Sequence, residues 1–196
     1  MIAFVEGKVD QMDPTFVILD VGGIGYEIKI SLATYSVVKQ QEKCKLYTHF
    51  HVKEDAQSLY GFHDLAEKQV FLHLISISGV GPNTALMIQS SLGSKEIRHA
   101  IIQEDVKSIQ AVKGIGLKTA QRIILELKDK FRKEGISSDN ANFAPLQSNS
   151  IRDEALTALV TLGIPRATAE KNINKIINQS GEGISLEGLI KQALKG

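Results

Sequence analysis

The first third of the chain alternates between apolar and polar positions, and this two-residue period is typical of half-buried β-strands. Turn-forming Gly, Pro and Asp residues separate the alternating stretches, and a short helical segment, 32–38, interrupts them. We predict five strands, at 2–10, 16–23, 25–30, 45–52 and 57–62. Five short strands within about 60 residues predict a small closed barrel, either an OB-fold or a barrel of another type.

From residue 63 onward the apolar positions recur every three to four residues, which is the period of amphipathic helices. Five helices joined by very short, glycine-containing turns are predicted at 66–77, 83–92, 94–103, 105–112 and 118–131. The stretch "GISSDNANFAPLQSNS", 135–150, has little to bury, and we interpret it as a flexible linker. Three further helices, predicted at 152–162, 166–179 and 186–195, are enough for a minimal bundle.

The predicted fold class is therefore α+β, with several domains. A five-stranded barrel spans 1–62, an all-α domain spans 63–134, and a three-helix domain at 151–196 follows the linker at 135–150. The change of period at residue 63 marks the first boundary, because a strand pattern and a helix pattern bury different sets of positions.

Composition narrows the class of protein without identifying it. Of the 196 residues 43% are hydrophobic, and the single Cys44 excludes an intrachain disulfide and a cysteine-based zinc site. This cysteine usage fits a reducing cytosol, so we expect a cytoplasmic protein. The first ten residues contain acids and no long apolar run, and no stretch approaches the roughly 20 apolar residues of a membrane span, so we expect neither a signal peptide nor a membrane span. Residues 63–134 carry 11 basic and 8 acidic side chains, whereas 1–62 carry 6 and 8, within a net charge of +1. An anionic partner is therefore best suited to the middle third.

An internal repeat lies within the helical middle. "SISGVGPNTALMIQSSL", 76–92, aligns with "AVKGIGLKTAQRIILEL", 111–127, at an offset of 35 residues and with six of 17 positions identical. Each copy places a Gly-aliphatic-Gly turn directly before a helix, so that the open amides and the positive dipole end of that helix face outward. Two ordinary helical hairpins are the alternative explanation. Two matched copies in the most basic third favour the helix-hairpin-helix pattern, which binds DNA phosphates without reading bases.

Glu54 and Asp55 sit side by side at the predicted tip of a hairpin. A solvated turn, a metal site and a catalytic carboxylate pair are all compatible with these two residues alone. A two-metal nuclease needs several acids from separate elements, and we see no third acid placed near the tip. His49 and His51 share one face of the preceding strand, which we interpret as a polar face in preference to metal ligands. The sequence lacks a P-loop motif, and we predict no catalytic site, no metal and no cofactor.

The segments "DVGGIGYEI", "THFHVKEDAQSLYGF", "SGVGPNTA" and "KGIGLKTAQRIILELKDKF", in this order, make the whole chain resemble the RuvA family of Holliday junction-binding proteins. The resemblance implies an OB-fold, a tandem helix-hairpin-helix domain and a mobile C-terminal three-helix domain. It also implies a non-catalytic homotetramer that holds a four-way junction open and recruits the hexameric ATPase RuvB, which carries ATP and Mg²⁺. The implied setting is branch migration in recombination, DNA repair and the SOS response. Pairing of two tetramers into an octamer, and contact with the RuvC resolvase, are left open.

The resemblance also assigns roles to individual positions. Phosphate contacts fall on the hairpin glycines, the residues between them and the helix starts that follow: Gly79, Val80, Gly81, Asn83, Thr84, Gly114, Ile115, Gly116, Lys118, Thr119 and Arg122. Glu54 and Asp55 match the acidic pin at the junction centre. The RuvB-binding surface matches Leu159, Leu162, Ile164 and Leu194.

The chain departs from the family pattern at several charged positions. Asn83 and Leu117 stand where members of the family often carry lysine, and Phe4 and Glu6 replace basic residues. Each lost phosphate contact should make the salt slope of log K shallower by about 0.9. We expect either weaker, less salt-sensitive binding per subunit or compensation from other lysines, namely Lys113, Lys128, Lys130 and Lys133.

A generic DNA-binding module of a repair enzyme is the alternative to a junction-binding protein. The two are distinguished by the acidic hairpin and the tethered C-terminal helices. In a simple duplex-binding module, acids beside the phosphates would weaken binding, because like charges repel.

Overall fold

The structure, a computed structural model, describes residues 1–139, 147–180 and 184–195. The chain divides into two compact units, Met1–Ser138 and Asp139–Gly196. The first unit contains the predicted barrel and the central helices, and the second contains the C-terminal helices. Among the described residues, no helix is both long enough and apolar enough to cross a membrane.

Five strands close into a barrel in the first unit. They are β1 (Phe4–Asp13), β2 (Phe16–Val21), β3 (Ile24–Ile30), β4 (Lys43–Val52) and β5 (Gln57–Phe62). The order around the barrel is β1-β2-β3-β5-β4, with β3 parallel to β5 and the other neighbours antiparallel. Closure pairs every strand on both sides, which removes the exposed edges of an open sheet. The predicted five-stranded barrel is confirmed.

The alternation that predicts strands corresponds to the interior and exterior of the barrel. In β4, Cys44, Leu46 and Thr48 are buried while Lys43 and Lys45 are exposed. Helix α1 (Leu32–Val38) joins β3 to β4, and its last residue packs into the barrel core. Burial also raises the pKa of the Cys44 thiol, because a thiolate is poorly solvated there.

Five helices follow the barrel and share a core with it. They are α2 (Leu65–Ile75), α3 (Pro82–Ser91), α4 (Ser94–Ile102), α5 (Val106–Gln110) and α6 (Leu117–Asp139). Tyr60 and Phe62 of β5 belong to the same buried cluster as Phe71, Leu74 and Ile88 of the helices. The barrel and these helices therefore pack as one body.

Helix α6 extends beyond the residue at which the sequence pattern places the start of the linker. It runs to Asp139, whereas the linker is predicted at 135–150. Once a helix is nucleated each further residue adds a hydrogen bond at little cost, and one Gly135 within it costs only about 1 kcal/mol. The central part of the predicted linker, 140–146, lies outside the described residues.

The second unit contains the three predicted C-terminal helices. They are α7 (Gln147–Thr161), α8 (Arg166–Ser180) and α9 (Leu186–Leu194), and α7 begins inside the stretch predicted as linker. Ala155, Leu159, Ala169, Ile173 and Leu189 form their shared core.

Candidate nucleic-acid interface

The first hairpin turns tightly between α2 and α3. The amide of Ile77 donates to the carbonyl of Leu74 at 3.1 Å, and the amide of Val80 donates to the carbonyl of Ile77 at 3.0 Å. The Val80 side chain is only 4% exposed and fills the gap between the helices. Gly81 then caps α3, and its carbonyl accepts from the amide of Ala85 at 2.9 Å.

The second hairpin, between α5 and α6, repeats this pattern 35 residues later. The amide of Ile115 donates to the carbonyl of Val112 at 3.0 Å, and the amide of Ala120 donates to the carbonyl of Gly116 at 2.9 Å. The Ile115 side chain is buried as Val80 is. The sequence repeat therefore corresponds to two hairpins with the same hydrogen-bond pattern.

The two glycines of each hairpin differ in backbone conformation. Gly79 and Gly114 have φ values of +92° and +86°, in the left-handed region that favours glycine. Gly81 has a φ of −85°, which any residue adopts, and Gly116 also lies outside the left-handed region. A Cβ atom at Gly81 or Gly116 would meet no heavy atom within 4 Å. The fold therefore does not require these two glycines, and their bare backbone leaves room for a partner to approach closely.

The start of α3 has open backbone amides. Gly81 has no side chain with which to cap them, and Pro82 occupies the first helical position. Other helices of the described chain are capped by side chains, α1 by Ser31, α2 by Asp64, α5 by Asp105 and α9 by Ser185. The α3 amides lie at the positive end of the helix dipole, so this helix start is suited to an anion.

A cavity of about 330 Å³ joins the two hairpins. It is lined by Ser78 and Gly79 from the first hairpin and by Lys118, Thr119 and Arg122 from the start of α6. Arg122 donates from Nη1 to the carbonyl of Ser78 at 3.2 Å, and its Nε lies 3.5 Å from Glu126 Oε1. Arg122 thus connects the hairpins to each other, in addition to the positive charge that it adds. Lys118 is exposed beside this cavity.

A second cavity, of about 280 Å³, lies between the barrel and the first hairpin. Barrel residues Lys29, His51, Lys53, Ala56, Ser58 and Tyr60 face Gly81, Pro82, Asn83 and Thr84 across it. The Tyr60 hydroxyl donates to Asn83 Oδ1 at 3.2 Å, which leaves the amide nitrogen of Asn83 as a donor. The cavity therefore brings the β4–β5 turn and the first hairpin to one place.

Two lysines at this second cavity escaped the sequence analysis. Lys29 and Lys53 lie at the same cavity as Asn83, the position that lacks a lysine. No local signal could have identified Lys29, because it lies on β3, more than 50 residues from Asn83 along the chain. Among the lysines expected to compensate, Lys128 pairs with Glu104, and this pairing lowers the pKa of Glu104.

The structure describes the exposure of only two of the remaining three lysines that we expect to compensate. Lys113 and Lys130 are exposed, and the side chain of Lys133 lies outside the described residues. Compensation by these three lysines stays a prediction.

Glu54 and Asp55 lie in the turn between β4 and β5. The strands pair up to Val52 and Gln57, and the amide of Lys53 donates to the carbonyl of Ala56 at 2.8 Å across the turn. Both acids are exposed. Lys53 and Ala56, on either side of the two acids, line the second cavity, so the turn that carries the carboxylates borders the first hairpin. We call residues 53–56 the acidic tip.

His49 and His51 lie on the outer face of β4, which packs against the helices. Their ring centroids are 5.6 Å from Phe71 and 6.3 Å from Tyr60 respectively. Burial lowers the pKa of His49, and electrostatic interactions with His51 and Lys68 lower it further. In the described part of the chain, no group of three or more His, Cys, Asp and Glu residues is arranged to hold a metal ion.

Phe4 and Glu6 lie on the outer face of β1 and β4, where each of them contacts a lysine. Glu6 Oε1 lies 2.9 Å from Lys43 Nζ, and the hydrogen bond and charge of Lys43 lower the pKa of Glu6. The ammonium of Lys45 lies 4.2 Å from the ring centroid of Phe4, a cation–π distance. Lysines therefore remain on this face although the two positions themselves are not basic.

The C-terminal unit exposes some of the apolar side chains predicted to bind a partner, but not all of them. Leu162 and Leu194 are 62% and 49% exposed, whereas Ile164 is partly buried against the core. Leu159 is fully buried, so its prediction as a surface contact is wrong. Leu159 shares the inner stripe of α7 with Ala155, one helical turn away, and this stripe packs against α8 and α9.

Three family models match successive parts of the chain. A model described as the RuvA N terminal domain matches residues 1–61, and a SAM-like helix-hairpin-helix tandem matches residues 71–129. A model of the RuvA C-terminal domain matches residues 150–196. The order of the three matches follows the order of barrel, hairpins and C-terminal helices.

Curated relatives match over the full length of the chain. A protein of Cytophaga hutchinsonii is 56% identical over 197 residues, covering 100% of this chain and 99% of its own length. Proteins of Christiangramia forsetii and Amoebophilus asiaticus are 47% and 46% identical, with the same coverage of this chain and 99% and 100% of their own lengths. All three are named Holliday junction branch migration complex subunit RuvA.

Proposed function

Because this chain belongs to the RuvA family, we propose that it binds four-way DNA junctions, holds them open and recruits the RuvB ATPase for branch migration. The observation that carries this proposal is the second cavity, where the acidic tip meets the first hairpin. A phosphate bound at the hairpin would lie near two carboxylates. Such an arrangement disfavours continuous duplex across the tips and favours a junction whose centre is free of phosphates.

The hairpins supply the attraction in this proposal. We assign phosphate contacts to the open amides after Gly81 and Gly116, with Thr84 and Thr119 as hydroxyl donors and Lys118 as the cationic side chain. Gly79 and Gly114 form the turns that expose these amides, and Val80 and Ile115 hold the helices apart. These contacts position DNA by its backbone and do not read its sequence.

The same proposal includes the oligomeric state, the protein partners and the cellular process. Four copies form a homotetramer around the junction, so that eight carboxylates from Glu54 and Asp55 surround its centre. We propose a second tetramer and the RuvC resolvase as further partners of the junction-bound protein. Leu162 and Leu194 of the C-terminal unit bind RuvB, and the complex acts in recombination, DNA repair and the SOS response in the cytoplasm.

A gel-shift comparison tests the junction proposal. We expect a synthetic four-way junction to bind at least about tenfold more tightly than linear duplex of equal length, because a planar junction engages all four subunits at once. The two DNAs are compared at one stated salt concentration, since phosphate contacts weaken as salt rises. Equal affinities for the two DNAs would contradict junction recognition and favour a generic duplex-binding module.

Substitution of the open glycines tests the phosphate contacts. We expect Gly81→Ala with Gly116→Ala to weaken junction binding by about tenfold, because each methyl group obstructs charge-assisted hydrogen bonds to a phosphate. The free energy of unfolding should fall by less than about 1 kcal/mol per site, since both backbones accept alanine. Titration of a labelled junction and thermal unfolding measure the two effects.

The chain offers a matched control for this substitution. Gly93 caps α4 with a φ of −64°, and a Cβ there would make only an ordinary contact, 3.5 Å from Glu96 Oε2. Gly93→Ala therefore carries a similar capping cost outside the hairpins and should leave junction binding unchanged. If Gly93→Ala weakened binding as much as the hairpin pair, the phosphate assignment would be wrong.

A further inference from the structure

A buried carboxylate joins the barrel to the hairpin helices. Glu67 of α2 is only 1% exposed, and both of its oxygens accept hydrogen bonds. Ser31 Oγ donates to Oε1 at 2.6 Å, and Thr34 Oγ1 donates to Oε2 at 2.6 Å. Both hydroxyls belong to the barrel side, where Ser31 caps α1 and Thr34 lies within it.

The segment that leaves the barrel is tied to the same carboxylate. His63 directly follows β5, and its amide donates to Glu67 Oε2 at 3.2 Å while its ring Nδ1 lies 2.7 Å from that oxygen. The other ring nitrogen of His63 lies 3.1 Å from Asp64 Oδ2. These hydrogen bonds compensate the cost of burying the charge, and removal of any one partner leaves part of that cost uncompensated.

The main chain of Glu67 is held by the helix that starts at the first hairpin. Gln89 of α3 donates from Nε2 to the Glu67 carbonyl at 2.8 Å, and its side chain is only 2% exposed. A neighbouring hydrogen bond runs from the amide of Leu32 to Ser90 Oγ, also on α3, at 3.1 Å. Residue 67 therefore meets α1, the end of β5 and α3 at one point.

The rest of this contact is apolar and less directional. Phe71 packs its ring against Phe62, Tyr60 and His49, with centroids at 4.8, 5.3 and 5.6 Å. Burial of such rings holds the barrel against the helices, but hydrophobic association depends weakly on orientation. Hydrogen bonds to a buried charge depend strongly on distance and angle, so they select one orientation.

We propose that Glu67 is a positioning residue that sets the angle between the barrel and the hairpins, and thereby the selectivity for junctions over duplex. This inference rests on the proposed function, because selectivity requires the acidic tip to stand at a defined distance from hairpin-bound phosphates. Strand β5 has six residues, so the tip lies about 20 Å from His63, and a rotation of about 5° there would move it by about 2 Å. A shift of that size changes the repulsion between the carboxylates and a phosphate a few ångströms away.

Two matched threonines allow the test. Thr34→Val removes a hydrogen bond to Glu67, and Thr48→Val removes one from Thr48 Oγ1 to the carbonyl of Ile2, at 2.7 Å. Both threonines are buried, at 0% and 2% exposure, but only the bond of Thr34 connects the barrel to the helices. Glu67→Gln is the second variant, because it keeps the side-chain volume and removes the charge.

The ratio of junction to duplex affinity is measured for the full chain and the three variants. We expect Thr34→Val and Glu67→Gln to lower this ratio by roughly fivefold, the order of the net contribution of one typical hydrogen bond. Thr48→Val should leave the ratio unchanged even if it costs similar stability. Equal ratios for Thr34→Val and Thr48→Val would overturn the proposal.

A measurement without DNA separates this inference from the proposed function. Spin labels at Ala56→Cys on the tip and Leu125→Cys, a 79% exposed position on α6, report the distance between barrel and helices. The labelled chain is diluted with excess unlabelled protein, and the buried Cys44 should resist labelling. We expect a narrow distance distribution that broadens or shifts in Glu67→Gln and Thr34→Val but not in Thr48→Val. An unchanged distribution in both variants would refute the positioning role, whatever the DNA measurements show.

Discussion

Neutralisation of the acidic tip, by Glu54→Gln with Asp55→Asn, is expected to raise the affinity for linear duplex by roughly tenfold at low salt. A carboxylate and a phosphate about 6 Å apart repel by roughly 0.7 kcal/mol in water and by about 2.8 kcal/mol at an effective dielectric constant of 20. The repulsion from two such acids, partly screened by salt, therefore corresponds to a change of about tenfold or more in the affinity for duplex. Junction affinity should change less, so the selectivity for junctions falls.

The same DNA titrations, repeated at two salt concentrations, check this prediction. The gain in duplex affinity should shrink at about 1 M salt, where charges are screened beyond about 3 Å. A matched control is Asp10→Asn with Glu42→Gln. These two exposed acids lie beside each other, with the amide of Val9 donating to the carbonyl of Glu42, at the end of β4 opposite the tip. The control removes the same charge roughly 30 Å away and should leave duplex binding nearly unchanged.

One outcome would reverse the interpretation of the acids. If the double substitution weakened junction binding and left duplex binding as it was, Glu54 and Asp55 would act by attraction, as in a metal site or a specific contact. The described residues contain no cluster of three or more potential ligands for such a site. A titration with Mg²⁺ in the presence and absence of the substitutions would then decide between the two roles.

Substitution of the exposed leucines of the C-terminal unit is expected to reduce stimulation of the RuvB ATPase by more than about tenfold. Leu162→Asp with Leu194→Asp places two charges where we propose an apolar contact, and apolar anchors of an interface typically contribute about 1–3 kcal/mol each. Both side chains are exposed, so the fold of the unit should tolerate the change. Junction binding should remain intact, because the hairpins lie in the other unit.

ATP hydrolysis by RuvB on junction DNA, with and without the variant, measures this effect. Asn178→Asp introduces one negative charge, as each single leucine substitution does, at an exposed position of α8 and serves as the control for each of the two single variants. Circular dichroism establishes that the three helices persist in both proteins. Full stimulation by the double leucine variant would show that RuvB binds another surface, and loss of junction binding as well would show that the two units do not act separately.

Periodicity was sufficient for the secondary structure of most of the chain. The change from a two-residue to a three-to-four-residue period places the barrel and the helices correctly, because local burial patterns are repeated many times within each element. Element ends were less accurate. Helix α6 runs to Asp139 and α7 begins at Gln147, because a nucleated helix extends at little cost through residues of only modest helix propensity.

The candidate site could be predicted only in part. Both hairpins were predictable, since an anion site built from backbone amides needs residues that are adjacent in sequence. Lys29 could not be assigned to the same place, because only closure of the barrel brings β3 beside the first hairpin. Leu159 and Leu162 look alike in the sequence, yet one is fully buried and the other 62% exposed, since the exposure of a residue near a helix end depends on its neighbours in space.

The sequence by itself determined the elements, the repeat and the family, because these depend on local period and on residues close together along the chain. The tertiary structure alone decided three matters. Gly79 and Gly114 adopt positive φ angles, whereas Gly81 and Gly116 do not and have free space beside their backbone. The acidic tip shares a cavity with the first hairpin, and Glu67 is buried. The first depends on backbone angles that a Gly-aliphatic-Gly pattern does not specify, and the other two depend on packing between segments far apart in sequence. A glutamate on an amphipathic helix looks like a solvated surface residue until the barrel covers it.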